Sequence, residues 1–190
     1  MADGPGVFAT GRAGPITVSI RLETPGNEPG VRHVHEAAFP GPEEADIVDR
    51  IRREAPAGWQ SLVALDEEGS IVGHLLLSPC RVKDADGEPV GEVLALGPVA
   101  VLPAVQRRGI GSALMSAAIG LAVARAIPAV VLLGYPSYYL RFGFLPARGL
   151  GLLPPADAWP DSAWMARRLP AWTDVMRGTV RYPEAFEPLS

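Results

Sequence analysis

The stretch Leu96-Gly-Pro-Val-Ala-Val-Leu-Pro-Ala-Val-Gln-Arg-Arg-Gly-Ile-Gly-Ser112 decides the reading of this chain of 190 residues. An extended apolar segment over residues 92–102 runs into a turn that holds Gln106-Arg-Arg-Gly-Ile-Gly111, and a helix is expected over residues 103–126. At a helix start the first four N–H groups lack partners, and the aligned peptide dipoles present partial positive charge. Gly109 and Gly111 let that backbone approach a ligand without a side chain in the way. Arg107 and Arg108 add fixed charge suited to phosphate. Together these features make an anion cradle of a size for a pyrophosphate.

Two familiar phosphate sites fail on named residues. A dinucleotide fingerprint needs a third glycine where Leu114 stands, and no strand–helix–strand unit opens the chain. A P-loop needs Gly-Lys-Ser/Thr, and the one lysine, Lys83, is remote. An ordinary helix with a glycine-rich start is the plain alternative.

Composition narrows the field. The chain is 48% hydrophobic and 20% charged, which suits a globular protein. Net charge is −4, against a protein that neutralises many phosphates of a nucleic acid. Cys80 stands alone, so the sequence offers no disulfide framework and no metal-ligand spacing, and a buried structural thiol is expected. Residues 1–15 lack the basic-then-apolar order of a signal peptide and read as a flexible tail. The uncharged run over 109–124 is shorter than the roughly 20 residues of a membrane span. It reads as a buried helix, and the protein as cytoplasmic.

Along the chain, Ile16-Thr-Val-Ser-Ile-Arg-Leu22 alternates as a strand does. Helices are expected over 31–39 and 43–55, the second with Ile47 and Ile51 on one face. Strands follow over 60–65, 71–82 and 92–102, then the helix over 103–126 and a short apolar strand over 129–133. A short helix over 137–142 ends at Gly143, and closing strands are expected over 163–169 and 179–182. The order predicts an α/β protein, a mixed sheet with helices on its faces, as a single domain over residues 16–190.

Gln106-Arg-Arg-Gly-Ile-Gly-Ser112 after a strand resembles the Gln/Arg-x-x-Gly-x-Gly/Ala acyl-CoA signature of the GNAT superfamily of N-acetyltransferases. Tyr135-Pro-Ser-Tyr-Tyr-Leu-Arg-Phe-Gly-Phe144 is similar to that family's Tyr-x-x-x-Gly-Phe segment. The wording of this segment and of the C-terminal Gly-Thr-Val-Arg-Tyr-Pro-Glu-Ala-Phe186 resembles a bacterial branch of predicted acetyltransferases. The resemblance implies the GNAT fold: a mostly antiparallel sheet splayed between the family's fourth and fifth strands, where the thioester enters. Pro98, which cannot donate to a ladder, fits the disruption such a splay needs.

By the same resemblance, the backbone of Val99, Ala100 and Val101 would pair with the pantetheine arm, as an added strand does. Gln106, Arg107, Arg108, Gly109, Ile110, Gly111 and Ser112 would hold the pyrophosphate. Tyr139 falls where the family often places the general acid that protonates the departing thiolate. Tyr138 is expected to face the core and Tyr135 to line the acceptor entrance. Some members place a glutamate eleven residues before the motif glutamine; Ala95 stands there in this chain. Glu92 is the nearest carboxylate, three residues off and on the other strand face, and His74 is a second candidate base. The acidic residues Glu36, Glu43, Glu44, Asp46 and Asp49 read as a solvated helix face.

The activity implied is acetyl transfer from acetyl-CoA to a primary amine by direct attack in a ternary complex, without a metal. The acceptor would be a small molecule or a peptide amine, not a nucleic acid or a membrane. A homodimer is a common assembly in that superfamily. The alternative is a non-catalytic acyl-CoA-binding module of the same fold, kept open by Ala95.

Overall fold

Strand β1 (Val7–Ala13) pairs antiparallel with strand β2 (Ile16–Leu22) in the computed structural model, which describes residues 7–13, 16–54 and 57–186. Residues 7–13 were expected within a flexible tail, and this is a correction. The neighbouring strand offers a ladder that glycine-rich local composition does not reveal. The remainder of the expected tail lies outside the described residues.

Helix α1 (Glu28–Ala38) begins after Asn27 with Pro29 in its first turn, where a missing N–H costs nothing. It buries Val31, Val34 and His35. Helix α2 (Glu43–Glu54) buries Ala45, Val48 and Ile51, so the inward face is turned relative to the expected Ile47–Ile51 stripe and Ile47 is half-buried. Strand β3 (Gln60–Leu65) has the expected bounds, and β4 (Ile71–Lys83) continues past Cys80 as expected. Strand β5 (Pro89–Val101) is followed by a 3-10 turn over Pro103–Val105 and then by helix α3 (Ile110–Ala124).

The helix expected from residue 103 therefore starts seven residues later, which is a second correction. Pro103 is well suited to a first helical position, so local propensity favoured the earlier start. Arg107 (φ 61°) and Gly109 (φ 87°) lie in left-handed backbone that an α-helix excludes.

The chain continues with β6 (Ala129–Leu133), the short helix α4 (Pro136–Tyr139), β7 (Leu145–Pro146), β8 (Leu152–Leu153), β9 (Trp164–Arg168) and β10 (Gly178–Arg181). A 3-10 turn after α4 ends at Gly143 in left-handed backbone (φ 78°), the cap expected for it. The pairings are mixed, as expected: β2–β3 and β3–β4 are antiparallel, while β5–β6 is parallel.

The described residues fall into two compact units, with β4, β5 and α3 running through both. The first draws on Met1–Ala55, Trp59–Leu77 and Gly97–Ala118. Its strands β1 to β4 pair in sequence order, with Leu62 opposite Leu75 and Val63 opposite His74. A side chain at Gly73 would press on Ile110 and Leu114 (3.1 Å each) and on the Ala100 carbonyl (3.3 Å), so glycine permits the close approach of α3.

The second unit draws on Pro56–Gly58, Ser78–Leu96 and Ile119–Ser190. Here β5 pairs with β6 at Leu94–Val130 and Ala95–Val131, both N-terminal to the cis Gly97–Pro98 peptide. Strand β9 pairs antiparallel with β6 and β7, and β10 pairs with β4 and β8. Its core gathers Cys80, Val93, Val131, Trp164, Trp172 and Val180, and the Trp164 indole N–H donates to the Leu152 carbonyl at 2.9 Å. Among the described residues no helix is long and apolar enough to cross a membrane.

Candidate active site

The cradle lies in the first unit, between the end of β5 and the start of α3. Gln106 leaves the 3-10 turn in extended backbone and its side-chain amide donates to the Val101 carbonyl at 3.0 Å. Arg107 then turns left-handed, and Gly109 does so again two residues later. Left-handed residues in such a turn are one way a backbone exposes N–H groups to an anion. The first satisfied N–H of the helix is that of Ala113, which donates to the Gly109 carbonyl at 2.9 Å. The N–H groups of Ile110, Gly111 and Ser112 precede it in the first turn, where no helical carbonyl reaches them. Gln106, Arg107 and Gly109 are exposed, and Ile110 is buried as the anchor of the turn. These groups fit a pyrophosphate: unpaired donors, a positive helix end and an Arg107–Arg108 pair beside it.

Val99, Ala100 and Val101 close β5. The Val101 carbonyl already accepts from Gln106, so one of its two lone pairs is engaged. Ala100 is buried, and Val99 and Val101 are half-buried.

Tyr139 lies in the second unit at the end of α4, half-buried. Its ring meets Tyr138 edge-on (4.9 Å between centroids) and Phe144 (6.0 Å), and it lies over Gly134, where any Cβ would collide with it. Burial, with a smaller contribution from Tyr138, pushes its phenol up to about 12. The hydroxyl is therefore protonated at neutral pH and able to donate.

Tyr138 does not face the core as expected. It is half-buried with the Arg141 guanidinium 4.1 Å over its ring, a cation–π contact that an exposed helix edge favours. Tyr135 is 81% exposed. Glu92 is exposed on β5, ahead of the buried run of Val93, Leu94, Ala95 and Leu96. Cys80 is buried and its thiol is pushed up to about 12, chiefly by burial, so it is inert as a nucleophile at neutral pH.

The acidic cluster is more organised than a solvated face. Arg32 is bound by Glu36 (2.8 Å), Asp46 (3.0 Å) and Asp49 (2.6 Å), joining α1 to α2, and its guanidinium is held more firmly protonated than usual. Both His35 and His74 are fully buried, with His35 Nε2 2.7 Å from His74 Nδ1. Burial pushes His35 down to about 4, and burial again lowers His74 well below the usual range.

A family model described as the acetyltransferase (GNAT) family matches residues 29–144. The chain belongs to the GNAT acetyltransferase family. It is 30% identical over 160 residues to the uncharacterized N-acetyltransferase YjhQ of Escherichia coli K12, which covers 83% of this chain and 87% of that protein. It is 32% identical over 174 residues to the uncharacterized N-acetyltransferase YhbS of the same strain (88% and 97%). The crystal structure of E. coli YhbS in complex with CoA superposes with a TM-score of 0.80 at 27% identity, covering 100% of this chain and 98% of that one. A Brucella melitensis GNAT acetyltransferase in complex with acetyl-CoA gives 0.71 at 31% identity, with 90% and 98% covered.

Within this GNAT chain, Ala95 is a buried residue of the second unit's core. His74, a candidate base by sequence, packs with His35, Ser61 and Glu23. No local signal joins them, since His35 and His74 are 39 residues apart and meet through tertiary packing.

Proposed function

We propose that this chain is an acetyl-CoA-dependent N-acetyltransferase that passes the acetyl group to a primary amine by direct attack in a ternary complex. The observation that carries the reading is the paired left-handed backbone at Arg107 and Gly109, immediately before the α3 N-terminus. Non-glycine residues rarely hold that conformation, and where they do the surrounding structure has a use for it.

Bound acetyl-CoA supplies a thioester activated toward amines. The cradle residues Gln106, Arg107, Arg108, Gly109, Ile110, Gly111 and Ser112 neutralise its phosphates through N–H groups and arginine charge. The backbone of Val99 and Ala100 aligns its pantetheine arm as an added strand. Tyr139, by its match to the family segment, donates to the departing thiolate. A phenol pushed up to about 12 makes this a hydrogen bond more than a complete proton transfer.

Two measurements test the reading. Acetyl-CoA at millimolar concentration should raise the melting temperature, and Gly109→Trp should abolish the rise. A panel of primary amines should release free CoA thiol. A thermal shift without thiol release from any amine supports the second reading, a CoA-binding module, which Ala95 favours because the strand carboxylate is missing there.

A further inference from the structure

Helix α4, which carries Tyr139, has four residues, too few to be stable alone. What fixes the Tyr139 ring must therefore come from outside the helix, and strand β9 reaches it from two sides. Just ahead of β9, the Ala163 carbonyl accepts from the Gly134 N–H at 2.9 Å. Gly134 lies against the Tyr139 ring, with no room for a Cβ, and the preceding Leu132 and Leu133 pair with Met165 and Trp164 of β9. Toward the other end of β9, half-buried Arg167 donates from Nη1 to the Phe142 carbonyl at 2.5 Å.

The Phe142 carbonyl stands where the turn after α4 runs out of partners. The Gly143 N–H closes that 3-10 turn on the Leu140 carbonyl at 2.9 Å, and the carbonyls that follow have no further turn N–H to meet. Gly143 is left-handed, and the chain bends there to bury Phe144, whose ring lies 6.0 Å from that of Tyr139 in a T-shaped contact. The Arg167 guanidinium also packs 3.8–3.9 Å from the point where a Gly143 side chain would begin, so it covers the bend. Leu145 and Pro146 then pair with Ala166 and Met165, next along β9 from Arg167. One planar, pre-organised fork thus holds the bend between Tyr139 and the aromatic ring that flanks it.

We propose that Arg167 is a positioning residue for the transfer reaction, its bond to the Phe142 carbonyl holding the turn that seats the Tyr139 ring between Gly134 and Phe144. This rests on the reading of Tyr139 as donor to the departing thiolate, and it names what keeps that hydroxyl in place. A hydrogen bond weakens steeply as its distance and angle leave the optimum, so a small drift of the ring removes most of its help. Arg167 acts through placement, since burial and Tyr138 set the level of the phenol.

Three variants test the role. Arg167→Met keeps the aliphatic stem and removes every donor, Arg167→Lys keeps a cationic donor, and Arg168→Met makes the same charge change at the exposed neighbour. Arg167→Met should lower kcat for amine-dependent CoA release by about tenfold, while Kd for acetyl-CoA changes by less than about twofold. Arg167→Lys should bring kcat back to within about threefold of wild type, and Arg168→Met should stay within about twofold. In a Tyr139→Phe background, Arg167→Met should cost less than about a further twofold, because the group it positions is gone. Equal fractional loss in both backgrounds overturns the proposal, as does an unchanged kcat in Arg167→Met. Loss of the acetyl-CoA-induced thermal shift in Arg167→Met overturns it too, since a positioning role leaves cofactor binding intact. Full turnover in Tyr139→Phe alone overturns the donor reading of Tyr139, and the positioning role with it.

Discussion

The Gln106 side-chain amide donates to the Val101 carbonyl, 3.0 Å away, and so ties the first residue of the cradle to the last residue of β5. The glutamine of the signature therefore acts on the loop's shape. This bond closes residues 102–105, and left-handed Arg107 follows immediately, before the helix starts.

Gln106→Ala should accordingly weaken acetyl-CoA binding with little effect on the fold. Losing one exposed hydrogen bond that pre-organises the loop is worth about 1 kcal/mol, or roughly a fivefold rise in Kd. Titration calorimetry reads the Kd, and urea unfolding should shift by less than about 0.5 kcal/mol. An unaltered Kd would remove the tether from the account of binding.

How far the sequence could be read depended on whether each signal was local. Strands β3 and β6 are short apolar runs bounded by turns, and their expected and observed bounds agree. The cradle was legible because its glycines and arginines are contiguous. The start of α3 was not, since Pro103 suits a helix N-terminus and only the positive φ at Arg107 and Gly109 reveals the loop between. β1 escaped because its stability comes from the partner strand. The His35–His74–Ser61–Glu23 chain escaped because α1, β3, β4 and the end of β2 come together only in the folded unit.

Gly134→Ala tests the seat of Tyr139. A Cβ there would lie 2.9 Å from the ring Cδ2 and closer still to Cε2, so the ring must move. Overpacking of this kind costs about 1–3 kcal/mol. The variant should lower kcat by about tenfold or more while Kd for acetyl-CoA changes by less than about twofold. Tyr139→Phe, which keeps the ring in place, should lower kcat without the loss of stability. Normal turnover in Tyr139→Phe would leave the hydroxyl without a role.

Cys80 should resist alkylation in the folded protein. It packs in the second unit's core, and burial pushes its thiol up to about 12, so the thiolate is scarce at neutral pH. A chromogenic disulfide reagent should titrate essentially no thiol in buffer and one per chain in urea. Rapid labelling in buffer would contradict this burial.

Acid should destabilise the first unit through its two buried imidazoles. His35 is held down to about 4 by burial, then by Arg52, with Asp49 opposing; His74 is lowered by burial, His35 and Arg52. Against an unfolded value near 6.5, the unfolded chain binds more protons than the native one between pH 6.5 and about 4, so stability rises with pH across that window. It is fully present above pH 6.5 and lost as pH falls, by roughly 3 kcal/mol from His35 alone at about 1.4 kcal/mol per pKa unit. The range from about pH 6.5 to 5 lies inside the window set by the lowered imidazoles. Urea midpoints measured across that range should decline with acidification, and His74→Gln should flatten the slope. A flat profile for the wild-type protein would mean that the two rings are not held neutral in the folded state.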